Sequence, residues 1–148
     1  MFNTLEEIFN KYNYNIHLIE LKTNDVMKNH WNGNYYRDIE KDYKKMKYYY
    51  LTAIEEDYIN SMNNLAIYYE EIEKNYLKMK YYYLTAIEKG SKDSMNNLAN
   101  YYREIEKDYE KMKQYYLMAI EKGDVNSMIN LANYYEQNFF KKRKFIDI

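Results

Sequence analysis

Reaction chemistry needs a nucleophile, a base or a metal ligand held beside a second group, and this chain of 148 residues offers few such pairings. His17 and His30 are its only histidines, and neither stands at ligand spacing from another strong ligand, which argues against a metal site. There is no cysteine, so disulfides, thiol catalysis and thiolate metal sites are absent together. No Ser-His-Asp order, phosphate-binding loop or dinucleotide glycine pattern occurs. Carboxylates are plentiful but interleaved with lysines, which fits solvated ion pairs one helical turn apart better than an acid of raised pKa. The expectation is a protein without enzymatic activity, cofactor or metal.

The 22 tyrosines draw the eye next. Tyrosines beside lysines, as in KMKYYY at 45–50 and 78–83, could stack bases and hold phosphates. Two tyrosines of each triplet belong to an apolar stripe, however, which leaves mainly Tyr48 and Tyr81 outward. Lys141, Lys142, Arg143 and Lys144 form a basic run that reads as a nuclear signal or, more commonly, as a solvated terminus. Net charge is -1, with Lys and Glu interleaved as on solvated helix faces rather than segregated as on a nucleic-acid or membrane surface. The start, MFNTLEEIFNKYNYN, has acids where a signal peptide needs bases, and no apolar run is long enough to span a bilayer. The Tyr, Asn, Lys and Ile content suggests a genome rich in A and T.

The elements that must position these residues are set by a repeat. SMNNLAIYYEEIEKNYLKMKYYYLTAIEKGSKD at 61–93 returns at 94–126, with nine of 33 positions changed, and SMINLANYY restarts at Ser127. Such a period marks a stacked helical array, and with no proline and three glycines the chain has few places to break a helix. The fold expected is all-α: a solenoid of αα-hairpins with a 33-residue period. Its parts are an N-terminal helical cap (1–27), a divergent first repeat (28–60), two full repeats (61–93, 94–126), a half repeat (127–135) and a basic, apolar tail (136–148). Within the cap, Thr4 and Glu7 have capping-box spacing, and Leu5, Ile8, Phe9 and Tyr12 share a helical face. Residues 16–21 alternate as a strand would, although all-helical company favours a helix.

Each unit contains two apolar stripes. Met62, Leu65, Ala66 and Tyr69 follow i, i+3, i+4, i+7, as do Met95, Leu98, Ala99 and Tyr102, then Met128, Leu131, Ala132 and Tyr135. The second helix carries Met79, Tyr82, Tyr83, Ala86 and Ile87, with equivalents at 46–54 and 112–120. Short linkers make each pair antiparallel, with Tyr43, Tyr76 and Tyr109 expected to fold back and plug its end. Gly90 and Gly123, with Asp57 in the first unit, suit a left-handed helix stop, and Asp93 or Asn126 suits the next cap. Tyrosine in place of Leu or Phe leaves hydroxyls in need of partners, so a loose, wet core is expected.

The differences between copies are not scattered. On the first helix they are Ile67 against Asn100 and Glu70 against Arg103, on one face; on the second, Leu77 against Glu110, Tyr81 against Gln114 and Thr85 against Met118 form another stripe. In a stacked array first helices line the concave side, so the first stripe faces a groove. Arg37, Glu70, Arg103 and Glu136 alternate in charge along it, which reads either as drift at solvated positions or as ligand choice.

AIEKGDVNSMINLANYY at 119–135 resembles the junction of Sel1-like repeats, and KDYEKMKQYYLMAIE at 107–121 resembles the second helix that Sel1-like and tetratricopeptide repeats share. The likeness covers roughly 28–135 and recurs in register. It departs at Ala66, Ala99 and Ala132, where the family has glycine, and in lacking the Gly-rich loop between the two helices. The Tyr- and Asn-rich style resembles repeat proteins of giant DNA viruses of amoebae. The resemblance implies a right-handed superhelix that binds proteins as a scaffold or adaptor. In peptide-clamping tetratricopeptide domains an Asn before the Leu reaches into the groove; that position holds Asn64, Asn97 and Asn130. A second clamp position holds Asn34, Asn100 and Asn133, with Ile67 the exception, and the clamp's lysines have no clear counterpart. A row of amides can pair with the backbone of an extended peptide without reading its side chains, or can merely cap helices and face water. The groove expected from these readings comprises Asn34, Arg37, Asn64, Glu70, Asn97, Asn100, Arg103, Asn130 and Asn133. Its partner is a protein or peptide, in the cytoplasm (a host's, if the chain is viral) or nucleus and away from membranes. The alternatives are helical-repeat RNA binding and self-association through the array ends, where Phe139, Phe140 and Phe145 could pack on another copy.

Overall fold

The computed structural model describes residues 25–146, with side chains through Arg143. The expected cap helix at 1–15, the ambiguous stretch before residue 25, His17, and the side chains of Lys144 and Phe145 lie outside the described residues. Among the described residues seven helices follow one another: α1 (Asp25–Asp38), α2 (Tyr43–Glu55), α3 (Ile59–Glu71), α4 (Tyr76–Glu88), α5 (Lys92–Tyr101), α6 (Tyr109–Glu121) and α7 (Val125–Ile146). A π turn at Tyr102–Glu106 continues α5. No strand occurs among the described residues, and consecutive helices pair as hairpins whose second members begin 33 residues apart, at Tyr43, Tyr76 and Tyr109. The protein is an all-α array of helical hairpins. Two compact units divide it, one ending at Ser61 and the other starting at Met62.

Two kinds of junction repeat. Inside a hairpin the first helix ends in a wide turn: the carbonyls of Tyr36, Tyr69 and Tyr102 accept from the N–H groups of Asp42, Asn75 and Asp108 at 3.0, 2.8 and 3.0 Å. This turn forces Lys41, Lys74 and Lys107 into the left-handed region, at φ 55°, 54° and 57°. Asp42, Asn75 and Asp108 then cap the second helix, each side chain accepting from the backbone N–H three residues on at 3.1 Å. A cap of this kind contributes about 1 kcal/mol.

Between hairpins the second helix closes with a Schellman turn. Tyr58, Ser91 and Asp124 donate their N–H groups to the carbonyls of Ala53, Ala86 and Ala119 at 3.1, 3.0 and 3.0 Å. Asp57, Gly90 and Gly123 take the left-handed position, at φ 61°, 90° and 79°. The stop expected from sequence is therefore in place, aspartate included. The next cap is not: Ser91 accepts from Ser94 N–H at 3.2 Å and Asp124 from Ser127 N–H at 2.7 Å, whereas Asp93 already lies in the first turn of α5. The Schellman turn uses fewer residues than the spacing suggested, so the helix starts two residues earlier.

In the first unit, Met46, Tyr50 and Ala53 of α2 are buried with His30 and Gly33 of α1. A Cβ on Gly33 would lie 2.4 Å from the Tyr50 ring, so that ring rests on bare helix backbone. In the second unit the two stripes close on each other as expected: Met62, Leu65, Ala66 and Tyr69 with Met79, Tyr83 and Ala86, then the equivalent seven around Leu98 and Tyr116. Burying each Met or Leu contributes about 1.5–3 kcal/mol. At the stripe's edge Tyr36 stacks on Tyr49, Tyr69 on Tyr82 and Tyr102 on Tyr115, at 5.4, 5.7 and 5.7 Å between nearly parallel rings. Lys45, Lys78 and Lys111 each lie 5.0 Å from the first ring of their pair.

Three expectations need correction. Of the third stripe only Leu131 is buried, because α7 runs straight past the point where α3 turns back, and among the described residues no second helix covers Met128 and Tyr135. Tyr76 and Tyr109 do not plug their own hairpins; they pack on Tyr101 and Tyr134 of the following first helix, at 5.2 and 5.4 Å. The core is also well satisfied, since the hydroxyls of buried Tyr50, Tyr68, Tyr83, Tyr101 and Tyr116 all donate to side-chain oxygens.

Candidate functional site

Successive first helices are held together by a ladder of serine and asparagine. Asn63 Oδ1 on α3 accepts from Ser94 Oγ at 2.9 Å and from Asn97 Nδ2 at 3.2 Å on α5. One repeat later Asn96 Oδ1 accepts from Ser127 Oγ at 3.0 Å and Asn130 Nδ2 at 3.1 Å on α7. Ser94 and Ser127 are fully buried, so each rung satisfies a hydroxyl that would otherwise carry a desolvation cost.

His30 stands 33 residues before Asn63 and takes its place in the first unit. Its Nδ1 is 2.9 Å from Ser61 Oγ, and its Nε2 is 3.2 Å from Asn34 Nδ2. The Asn34 amide donates to Nε2, so the neutral ring carries its proton on Nδ1 and donates it to Ser61. Asn34 Oδ1 in turn accepts from Tyr50 OH at 2.7 Å. Burial, aided by Arg37, lowers the His30 pKa to about 4, which keeps this relay neutral.

The hydroxyl of the buried second-helix tyrosine explains the changes between copies. Tyr50 donates to Asn34 and Tyr116 to Asn100, the latter at 2.5 Å. At the equivalent position of the middle unit stands Ile67, and Tyr83 donates instead to Glu70 Oε2 at 2.9 Å. Ile67 with Glu70, and Asn100 with Arg103, are thus alternative ways of meeting one buried hydroxyl. Burial raises the Glu70 carboxyl pKa, partly opposed by the bond from Tyr83. The Tyr83 hydroxyl is pushed far above its usual range by burial and then by Glu70.

Two clefts lie on this face of the second unit. A cavity of about 190 Å³ is lined by Ile67, Glu70, Glu71, Tyr83, Asn97 and Asn100. A cleft of about 450 Å³ is lined by Arg103, Glu104, Lys107, Tyr109, Asn130, Asn133, Tyr134, Gln137, Asn138 and Lys141. Of the residues expected in a groove, Glu70, Asn97 and Asn100 meet in the first, and Arg103, Asn130 and Asn133 in the second. Asn64 is half-buried on α3 and lines neither. Asn34 and Arg37 belong to the first unit, where Arg37 pairs with Asp38 at 2.7 Å. Arg103 pairs with Glu104 at 2.6 Å. Asn97, Asn100 and Asn130 each hold a bond within the chain while lining a cleft, and Asn133 is exposed.

Sequence reasoning missed Asn63, Asn96, Ser94, Ser127 and His30. The signal was present: both full copies keep Ser-Met-Asn-Asn, and the first Asn becomes Ile129 on α7. Chemically the clefts offer amide donors and acceptors and charges of opposite sign, acidic in the first and mainly basic in the second. Among the described residues no three His, Asp or Glu side chains converge as metal ligands would, and no helix is long and apolar enough to cross a membrane. Compared with protein-family models, curated proteins and solved structures, the chain matches none.

Proposed function

We propose that the protein is a non-catalytic binding module of the Sel1-like or tetratricopeptide-like kind, holding an extended protein segment along the first-helix face. The observation that carries this reading is the pair of consecutive clefts, each lined by asparagines and each of different charge. Amides can meet the backbone of any extended peptide, while Glu71 beside Glu70 and Lys141 beside Lys107 would select side chains by charge. A scaffold or adaptor role in the cytoplasm, or in the nucleus if the run at 141–144 is read as a signal, follows from the same reading, as does the absence of catalysis. The Tyr- and Asn-rich composition is what supports a viral source.

The test is affinity capture from the native cell with the wild-type chain and with the variant E71K/K141E, which reverses one charge in each cleft at side chains outside the core. Loss of the captured protein with unchanged helicity supports the groove; identical capture by both sinks it. Helical-repeat RNA binding is the second reading, favoured by Arg103, Lys107 and Lys141 beside Tyr109 and Tyr134. It requires an affinity that falls steeply with added salt, and no shift of any RNA at low salt disposes of it.

A further inference from the structure

The exposed flank of α7 has an occupant that the chain itself describes. Met62 and Met95 are 1% and 2% exposed and Tyr69 and Tyr102 are 5% and 7%, yet Met128 and Tyr135 at the same repeat positions are 54% and 52% exposed. Phe139, one turn further along that stripe, is also exposed. An exposed apolar stripe of this kind marks an interaction surface.

What covers this stripe elsewhere is known residue by residue. In all three second helices the covering segment reads Lys-Met-x-x-Tyr-Tyr-x-x-Ala, beginning at Lys45, Lys78 and Lys111. Each position has one job, repeated three times. The lysine lies 5.0 Å from the first-helix tyrosine ring, and the methionine is fully buried. The first tyrosine stacks on that same ring. The second tyrosine donates its hydroxyl to a first-helix side chain, and the alanine, fully buried, allows the helices to close. On α7 the receiving groups are Tyr135 for the stack and Asn133, the equivalent of Asn34 and Asn100, for the hydroxyl. Both are exposed.

We infer that α7 is a docking site for an amphipathic helix of a separate polypeptide carrying Lys-Met-x-x-Tyr-Tyr-x-x-Ala, which covers this stripe in trans as the second helices cover theirs. A second copy of this chain has no such segment to spare, because the three in the described residues are each stacked on their own first helix. The site shares Asn133 with the second cleft, but Met128, Tyr135 and Phe139 line neither cleft, so variants at Met128 and Tyr135 test it apart from the groove.

The probe is a fluorescein-labelled peptide with the sequence of residues 107–123, titrated into the full chain and followed by anisotropy. Saturable binding at one peptide per chain is expected. Y135A or M128E, both at exposed positions, should weaken it by roughly tenfold or more, as loss of a buried anchor does. N133A in the protein and Y116F in the peptide should each weaken it by about fivefold, and together by no more than either alone, since both remove one hydrogen bond. E71K should leave binding unchanged. Absence of saturable binding overturns the inference, as does equal binding of a peptide with both tyrosines replaced by alanine. So does a dimer in light scattering that M128E converts to monomer, which would give the face to a second copy.

Discussion

His30 links the fold to pH. In the unfolded chain it takes up a proton near 6.5, and in the folded chain near 4, so between those values the unfolded state binds more protons. Stability should therefore fall as pH drops from 6.5 towards 4, by roughly 3 kcal/mol, and this component should level off below 4. Urea melts across that range compared with those of H30N, which installs the residue used by the later repeats, isolate the contribution; parallel pH profiles would contradict it. The Tyr83 hydroxyl makes a second residue-scale test. E70R removes its acceptor and should cost about 1–3 kcal/mol, the cost of an unmet buried donor. Adding I67N supplies the acceptor used at Asn100, and I67N/E70R should recover most of that loss. A thermal-melt cycle showing simple additivity would mean the two positions vary independently.

At the scale of elements the junctions decide more than helix propensity does. Lys107 sits at φ 57°, where a side chain costs roughly 1–2 kcal/mol that glycine avoids. K107G should therefore raise the melting temperature, whereas the same exchange inside α6 should lower it. D108A should cost about 1 kcal/mol through the lost cap. G33A tests the opposite balance. Helix propensity favours alanine by about 1 kcal/mol, but the added methyl would meet the Tyr50 ring at 2.4 Å. Overpacking of this kind costs about 1–3 kcal/mol, so the variant should melt lower than wild type. The later units carry Ala66 and Ala99 there with Tyr83 and Tyr116 still buried, so they seat the ring differently.

For the molecule as a whole, the period of 33 and the two apolar stripes were legible in sequence because burial repeats with the helix pitch and the repeat returns it in register. Helix identity, pairing, glycine stops and the outward Tyr48 and Tyr81 followed from that alone. The candidate groove was half legible: of the residues expected in it, Glu70, Asn97 and Asn100 line one cleft and Arg103, Asn130 and Asn133 another, whereas Asn64 lines neither. Only tertiary structure separated the roles. Asn63 and Asn97 are one residue type at neighbouring repeat positions, and that they bond each other across α3 and α5 depends on where those helices lie. The same holds for α7, whose stripe matches the buried ones letter for letter. Sequence determined that Met128 and Tyr135 would seek cover, because spacing sets the face on which they stand. The three-dimensional path of the chain, straight through Ile146 instead of turning back, decided that they have none from α7's own hairpin.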